Sequence, residues 1–239
     1  MKLFSFTLFG LIIFCSACNS NKQNVKEDVT NDLHVEKPNL RFEEEIKQFE
    51  LMDQRARYAS NAIVFTGSSS IRLWTTLAED MNNLPVINRG FGGATNPEVI
   101  YYADRYLYKH QPKFVVYYCG ENDIAEGSLP QQVLASFKKF VSNLESKLPK
   151  TQLVYLSMKP SPARWSLWPK YKEADTMIKS FVDSKTNLHY FDTSITMLDD
   201  NGEVRKDIFI ADMLHMNTLG YEGWTSRLYP MLSKLYQDN

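Results

Sequence analysis

Five short apolar runs, separated by segments with helical periodicity, constrain the fold of this chain more than any other feature. The runs lie at residues 62–66, 86–88, 113–119, 152–157 and 188–192. Helices are predicted at residues 41–57, 96–108, 130–148 and 168–183, and after residue 218. Short apolar runs of this kind are typical of buried strands. Because strands that alternate with helices pair in parallel, we predict an α/β fold, a three-layer α/β/α sandwich with a parallel sheet.

The N-terminal residues predict export. Lys2 precedes a short apolar stretch, and two small residues stand directly before Cys18. This order resembles a bacterial lipobox, in which the cysteine is lipidated and becomes the mature N-terminus, although Cys15 stands where Leu or Val is usual. We therefore expect residues 1–17 to be a lipoprotein-type signal peptide and Cys18 to be the lipidation site. An ordinary secretory signal, with Cys18 incidental, is the alternative.

A polar segment at residues 18–39 separates this signal from the folded part of the chain. It has few large apolar side chains, so it cannot offset the entropy of ordering and is expected to act as a flexible tether. The folded domain is predicted at residues 40–239. With a lipid on Cys18, the protein would be exported and anchored to a membrane of the bacterial cell envelope.

The composition narrows the range of partners. Hydrophobic residues make up 44% of the chain, which excludes global disorder. Lys and Arg number 27 and Asp and Glu 28, so the chain has almost no net charge to attract nucleic acid, and no nucleic-acid partner is expected.

Cys119 is the single cysteine of the predicted domain, which leaves no disulfide within it. Its place in a strand-like run favours a small buried hydrophobe.

Four polar motifs stand where a parallel α/β sheet places its ligands, which is at the carboxyl ends of the strands. Residues 67–70, 88–93 and 120–123 follow the first three apolar runs, and residues 212–215 precede the C-terminal helix. A serine hydroxyl needs a base, usually a neutral histidine, which in turn needs a carboxylate to fix its tautomer. Glycine N–H groups and an asparagine amide can stabilise an oxyanion. Each motif alone is typical of a turn or cap, but the four in this order indicate a site.

Together these motifs resemble the SGNH hydrolases, the esterase superfamily that includes the GDSL lipases. The resemblance covers about residues 62–224. It implies an SGNH/flavodoxin-like hydrolase fold, with Ser69 as the nucleophile, His215 as the general base and acid, and Asp212 as the residue that orients His215. It also implies an oxyanion hole formed by the backbone N–H groups of Ser69 and Gly93 and the side-chain amide of Asn122.

Two residues depart from the family pattern, and both bear on activity. Ser68 stands where the family has Asp before the nucleophile, and Ala94 stands where Asp commonly follows the glycine pair. Neither position is one to which the resemblance assigns a catalytic or oxyanion-hole role. A ligand-binding lipoprotein that keeps the fold and has lost catalysis is therefore the competing class.

Other kinds of site fit the sequence less well. A dinucleotide motif fails because Thr95 occupies its third glycine position, and a G-x-S-x-G nucleophile elbow fails because Ile71 occupies its last position. No H-E-x-x-H motif is present, and neither a metal nor an organic cofactor is implied. His189 lies in a strand-like run, where a hydrogen-bonded core histidine is expected.

The segment after the fourth apolar run is a candidate for substrate binding. Arg164 could bind an anionic group, and Trp165 and Trp168 could stack on sugars or acyl chains; loop packing with a structural ion pair is the alternative. For Arg89 the same two interpretations stay open, binding of an anionic group or a structural ion pair. We expect a serine esterase that hydrolyses carboxylic esters, with short acyl or O-acetyl glycan esters as substrates. A lysophospholipase or thioesterase-type lipid acylhydrolase is the alternative.

Overall fold

The computed structural model describes residues 41–82 and 84–238. The proposed signal peptide, Cys18 and the tether lie outside these residues. Within them, five parallel strands form one sheet in the order β2-β1-β3-β4-β5. The strands are β1 (Ile63–Gly67), β2 (Val86–Gly90), β3 (Phe114–Tyr118), β4 (Gln152–Leu156) and β5 (Leu188–Phe191).

Eight α-helices connect and flank the described strands. They are α1 (Glu43–Arg55), α2 (Ser69–Arg72), α3 (Leu77–Asp80), α4 (Asn96–Tyr106), α5 (Glu121–Ala125), α6 (Pro130–Lys147), α7 (Trp168–Asp183) and α8 (Thr218–Asp238). Short 3₁₀ helices lie at Tyr108–His110, Pro162–Leu167 and Thr193–Thr196. None of the helices in the described ranges is both long enough and apolar enough to cross a membrane.

The buried residues form two cores, one on each face of the sheet. Alternate strand residues such as Val64 and Tyr117 pack with α1, α4, α6 and α7 on one face. Their neighbours Phe65 and Tyr118 pack with α2, α3 and α8 on the other. Because side chains of a strand alternate between faces, an apolar run covers both cores at once. The predicted three-layer α/β/α sandwich with a parallel sheet is confirmed.

Arg89 is buried in β2 and serves the fold. Its side chain is 2% exposed and forms an ion pair with Asp53 of α1. The rings of Phe49 and Tyr58 lie 5.0 and 5.1 Å from the guanidinium carbon. Lys109 Nζ also lies 2.5 Å from Asp53 Oδ2. Of the two interpretations that the sequence leaves open for Arg89, the structure favours the structural ion pair.

We expect Asp53→Asn to lower the free energy of unfolding by about 3 kcal/mol, because it leaves the guanidinium of Arg89 buried without its carboxylate. Urea unfolding followed by circular dichroism measures the change. Asp183→Asn is the matched control, since Asp183 pairs with Lys179 on the surface and its loss should cost less than about 0.5 kcal/mol. Equal losses in the two variants would show that the buried pair does not hold α1 to the sheet.

Candidate active site

Three neighbouring strands end side by side, and this alignment sets the position of three of the four polar motifs. Gly67 at the end of β1 is paired with Gly90 of β2 on one side and with Tyr118 of β3 on the other. The hydrogen bonding continues for one residue past the strands. Phe91 N–H donates to the Gly67 carbonyl and Ser68 N–H donates to the Tyr118 carbonyl, both at 3.0 Å. The loops after β1, β2 and β3 therefore start next to one another.

Ser69 is the first residue of α2, and the end of β2 fixes that short helix. Asn88 Nδ2 donates to the Ile71 carbonyl at 2.6 Å, and Asn88 Oδ1 accepts from Gly90 N–H at 3.0 Å. A Cβ on Gly90 would lie 2.4 Å from the backbone nitrogen of Arg72, so only glycine permits this close approach. The half-buried Ser69 hydroxyl is thus presented by a turn with little freedom.

The structure brings Ser69, His215 and Asp212 into hydrogen-bond contact. His215 Nε2 lies 2.9 Å from Ser69 Oγ, although the two residues are 146 positions apart. On the other side of the ring, His215 Nδ1 lies 2.6 Å from Asp212 Oδ2. A carboxylate only accepts, so the ring proton belongs on Nδ1 and the Nε2 lone pair can accept the serine proton.

Asp212 is held as a carboxylate by several donors. Its Oδ1 accepts from the backbone N–H groups of Leu214 and His215, both at 2.9 Å. Partial burial alone would raise the pKa of Asp212, but the hydrogen bonds from the backbone and ring of His215 and from Leu214 outweigh it and lower that pKa to about 2. Asp212 therefore stays charged beside the imidazole across the pH range in which a histidine titrates.

The catalytic loop, defined here as residues 210–215, is a tight turn that explains the three-residue spacing of Asp212 and His215. Met213 N–H donates to the Ile210 carbonyl and Ile210 N–H donates to the His215 carbonyl, both at 2.9 Å. Met213 has a positive φ of 55°, an uncommon conformation for a residue other than glycine. The turn folds the Asp212 carboxylate back onto the histidine ring.

Gly93 lies in the loop after β2, and Asn122 lies in α5, which begins shortly after β3. Gly93 has a φ of +79°, which favours glycine over residues with a side chain. A Cβ there would meet no atom within 4 Å, so the space beside Gly93 is open. Asn122, in α5, is buried. Its Nδ2 donates to the Ala94 carbonyl at 2.9 Å, and its Oδ1 accepts from Arg164 Nη1 at 3.0 Å. One N–H of the Asn122 amide remains for another acceptor.

Further hydrogen bonds connect these loops. Asp123 accepts from the backbone N–H of Asn96, at 3.0 and 3.2 Å to its two oxygens, and this joins the loop after β3 to the start of α4. Burial raises the pKa of Asp123 to about 6, against the opposing effect of those hydrogen bonds. Burial also raises the pKa of the Cys119 thiol well above its usual value, in keeping with a small buried hydrophobe.

Arg41 is a contact of the site that the sequence does not reveal. Its Nη2 donates to the Gly93 carbonyl at 3.0 Å, and its Nε and Nη2 lie 2.6 and 2.9 Å from the two carboxylate oxygens of Glu98. Glu98 also caps α4 through the hydroxyl and backbone N–H of Thr95. Arg41 belongs to none of the four motifs and is 52 residues from Gly93, so no local signal marks it.

The two departures from the family pattern fall at buried positions where the backbone makes the contacts. Ser68 is 2% exposed, and its backbone N–H donates to the Tyr118 carbonyl. Ala94 is fully buried, and its carbonyl accepts from Asn122. Neither substitution removes a contact among Ser69, His215 and Asp212, so the geometry does not favour the catalytically silent alternative.

The segment after β4 lies against both halves of the site. The Ala163 N–H donates to the Met213 carbonyl of the catalytic loop at 3.0 Å, while Arg164 reaches Asn122. Trp165 stacks on Trp168 with 6.3 Å between ring centroids, and it lines an open groove of about 860 Å³. Trp168 is only 8% exposed and belongs to the core, so for this residue the structure favours loop packing over stacking on substrate.

The remaining polar candidates have ordinary structural partners. His189 is half-buried, and its Nε2 lies 2.7 Å from Gln152 Oε1. Burial lowers the pKa of His189, which keeps the ring neutral. Within residues 41–82 and 84–238, no group of three or more His, Cys, Asp or Glu side chains is placed to hold a metal ion.

Comparison with known proteins agrees with this architecture. Residues 56–222 match the sequence model of the GDSL-like Lipase/Acylhydrolase family. A search among curated protein sequences found no significant match.

Solved structures share the fold at low sequence identity. A GDSL-like lipase from Bacteroides thetaiotaomicron is 16% identical, with a TM-score of 0.67, over 80% of this chain and 98% of its own. A protein from Streptococcus pneumonia named after platelet activating factor is 17% identical, with a TM-score of 0.70, over 82% and 94%. A carbohydrate esterase family 3 protein from Talaromyces cellulolyticus is 15% identical, with a TM-score of 0.60, over 75% and 99%.

We expect Gly67→Ala to lower the free energy of unfolding by about 3 kcal/mol or more, because its Cβ would lie 1.8 Å from the Tyr118 carbonyl oxygen at a φ of +127°. Thermal and urea unfolding measure the loss. Gly202→Ala is the matched control, since Gly202 also has a positive φ but faces open space, and it should cost about 1 kcal/mol. A loss at Gly67 no greater than the loss at Gly202 would contradict the tight pairing of the serine turn with β3.

Proposed function

The chain belongs to the GDSL-like lipase/acylhydrolase family and is a hydrolase acting on ester bonds, and on this premise we propose that it cleaves carboxylic esters with Ser69, His215 and Asp212. One observation carries the proposal. The His215 ring lies between the Ser69 hydroxyl and the Asp212 carboxylate, at 2.9 and 2.6 Å. This is the order of nucleophile, base and orienting group that serine acyl transfer requires.

Acylation follows from these contacts. Ser69 Oγ attacks the ester carbonyl carbon while His215 Nε2 takes the hydroxyl proton, and the charge of Asp212 stabilises the imidazolium that forms. The carbonyl oxygen becomes an oxyanion, which the backbone N–H groups of Ser69 and Gly93 and the free N–H of Asn122 are proposed to hold. Collapse of the intermediate expels the alcohol, which receives the proton from His215.

Deacylation uses the same groups in the reverse order. A water molecule gives its proton to His215 Nε2 and attacks the acyl-serine carbonyl, and the oxyanion forms again in the same place. Collapse releases the carboxylic acid and returns the proton to Ser69. Both half-reactions therefore use the triad and the oxyanion donors, and water enters only in deacylation.

The groove lined by Trp165 supports short acyl esters of glycans as substrates. It is lined by Pro162 and Trp165 together with Asp199 and residues 203–207, which carry charged side chains of both signs. A half-buried indole beside polar groups suits a sugar ring, which offers both an apolar face and hydroxyls. Ala163 lies between Pro162 and Trp165 in sequence and contacts the catalytic loop. We propose that the sugar of a glycan ester lies in the groove while its acyl group lies at Ser69.

A lipid ester is the second candidate, and a different surface favours it. Ile210 and Met213 on the catalytic loop and Leu219 just beyond it are 45%, 39% and 51% exposed. Exposed apolar side chains next to a nucleophile could contact a long acyl chain, as a lysophospholipase or lipid thioesterase requires. The proposed lipid on Cys18 would hold either kind of esterase at an envelope membrane.

Ser69→Ala is expected to lower kcat for p-nitrophenyl acetate by at least about 10³-fold, because no other hydroxyl lies against His215 Nε2 among the described residues. Ser70→Ala is the matched control, since Ser70 contributes its carbonyl to Tyr221 and keeps it in the variant. The control should retain kcat within about threefold. If Ser70→Ala lost turnover while Ser69→Ala retained it, Ser69 would not be the nucleophile.

Trp165→Ala is expected to raise KM for an O-acetylated oligosaccharide about tenfold relative to KM for p-nitrophenyl acetate, the equivalent of about 1.4 kcal/mol of lost stacking. Tyr101→Ala, which removes an exposed ring on α4, should leave that ratio unchanged. A series of p-nitrophenyl esters of increasing acyl chain length distinguishes a lipid-ester substrate from a short acyl ester. Activity that rises with chain length, with no effect of Trp165, would favour the lipid ester.

A further inference from the structure

The amide of Asn122 is held between two partners of opposite kind. The Ala94 carbonyl can only accept and lies 2.9 Å from Nδ2, whereas the Arg164 guanidinium can only donate and lies 3.0 Å from Oδ1. These two contacts determine which end of the amide is nitrogen. Without Arg164, Ala94 alone would have to keep the remaining N–H aimed at the position proposed for the oxyanion.

Arg164 differs from the other arginines that are at least half-buried in the described ranges. Arg89, Arg105 and Arg205 each form an ion pair with a carboxylate. The guanidinium of Arg164 donates instead to a neutral amide and lies beside the Tyr171 hydroxyl, with no ion pair to any described residue. Its charge is therefore not cancelled by a carboxylate next to the proposed oxyanion hole.

The segment that carries Arg164 is fixed to α5, the short helix that carries Asn122. Lys159 Nζ lies 3.1 and 3.0 Å from the two carboxylate oxygens of Glu121, and their side chains are only 1% and 5% exposed. At the other end, the Ala163 N–H bonds to Met213. Arg164 thus reaches Asn122 from a backbone that is anchored on both sides of the site.

We propose that Arg164 is a positioning residue, which orients the Asn122 amide and strengthens its remaining N–H as an oxyanion donor. Donation to Oδ1 by a cation draws electron density from the amide, so the N–H groups on Nδ2 become better donors. The effect belongs to the transition state, because negative charge develops on the carbonyl oxygen as the tetrahedral intermediate forms and is absent from the bound ester. This role rests on the proposed function, and it differs from direct binding of an anionic substrate group by Arg164.

The test is a double-mutant cycle of Arg164→Met and Asn122→Ala, with kcat and KM measured on uncharged p-nitrophenyl acetate. Arg164→Met should lower kcat about tenfold with KM within about twofold, and Asn122→Ala should lower kcat about 10²-fold. In the Asn122→Ala background, Arg164→Met should lower kcat by less than about twofold further, because its effect passes through the missing amide. Arg164→Lys, which keeps the charge and an N–H donor group but not the planar guanidinium, should recover part of the loss.

Several results would overturn this role. A full tenfold loss in the Asn122→Ala background, or a rise in KM with kcat unchanged, would mean that Arg164 acts on the substrate directly. An Arg164→Met variant with wild-type kcat would remove the role altogether. Arg227→Met, which replaces an exposed arginine of α8, is the control. The melting temperature of every variant distinguishes unfolding of the protein from loss of alignment of the Asn122 amide.

The same cycle is repeated with the rate of labelling by a fluorophosphonate, which also generates an oxyanion at the serine. If the protein labels but hydrolyses no ester, the proposed substrate fails while the Arg164 cycle remains readable in the labelling rate. The positioning role would be contradicted if Arg164→Met left the labelling rate unchanged. It would also be contradicted if Arg164→Met lowered the labelling rate as much in the Asn122→Ala background as in the wild-type protein.

Discussion

The site depends on the parallel pairing of β1 with the strands on its two sides. Gly67 stands in register with Gly90 and Tyr118, and the first backbone N–H groups past the strands still donate to neighbouring strands. A parallel sheet directs all its carboxyl ends to one edge, so three loops from distant parts of the chain must start there together. The glycines at Gly67 and Gly90 permit that spacing, because a side chain at either would collide with a neighbouring backbone.

Strand pairing alone would leave the loops beyond it free to move, and polar contacts join them. The Ala94 carbonyl binds the amide of Asn122, and Asp123 binds the first N–H of α4. Arg41 holds the Gly93 carbonyl, and Ala163 holds the catalytic loop. An oxyanion hole lowers a barrier only when its donors are oriented before charge develops, so in the proposed mechanism these contacts would reduce the reorganisation that the reaction requires.

The sequence predicts the fold and the motif residues because both depend on local patterns. Buried strands read as short apolar runs, and the predicted helix at residues 168–183 coincides with α7. Serine, glycine, asparagine and aspartate after strands are informative because the fold brings strand ends together. The short helices α2 and α5 escape prediction, since four or five residues show no helical period. The contacts of Arg41 and Arg164 span 52 and 42 residues, and the burial of Trp168 depends on packing that spacing does not encode.

The central claim is that His215 activates the hydroxyl of Ser69, and the most direct measurement is the site of covalent modification. The intact protein is treated with a fluorophosphonate, and the adduct is counted and located by peptide mass spectrometry. The account predicts one adduct per chain, on Ser69, in a serine-rich turn where Ser68 and Ser70 are immediate neighbours. An adduct on either neighbour, or no adduct on the folded protein, would contradict it.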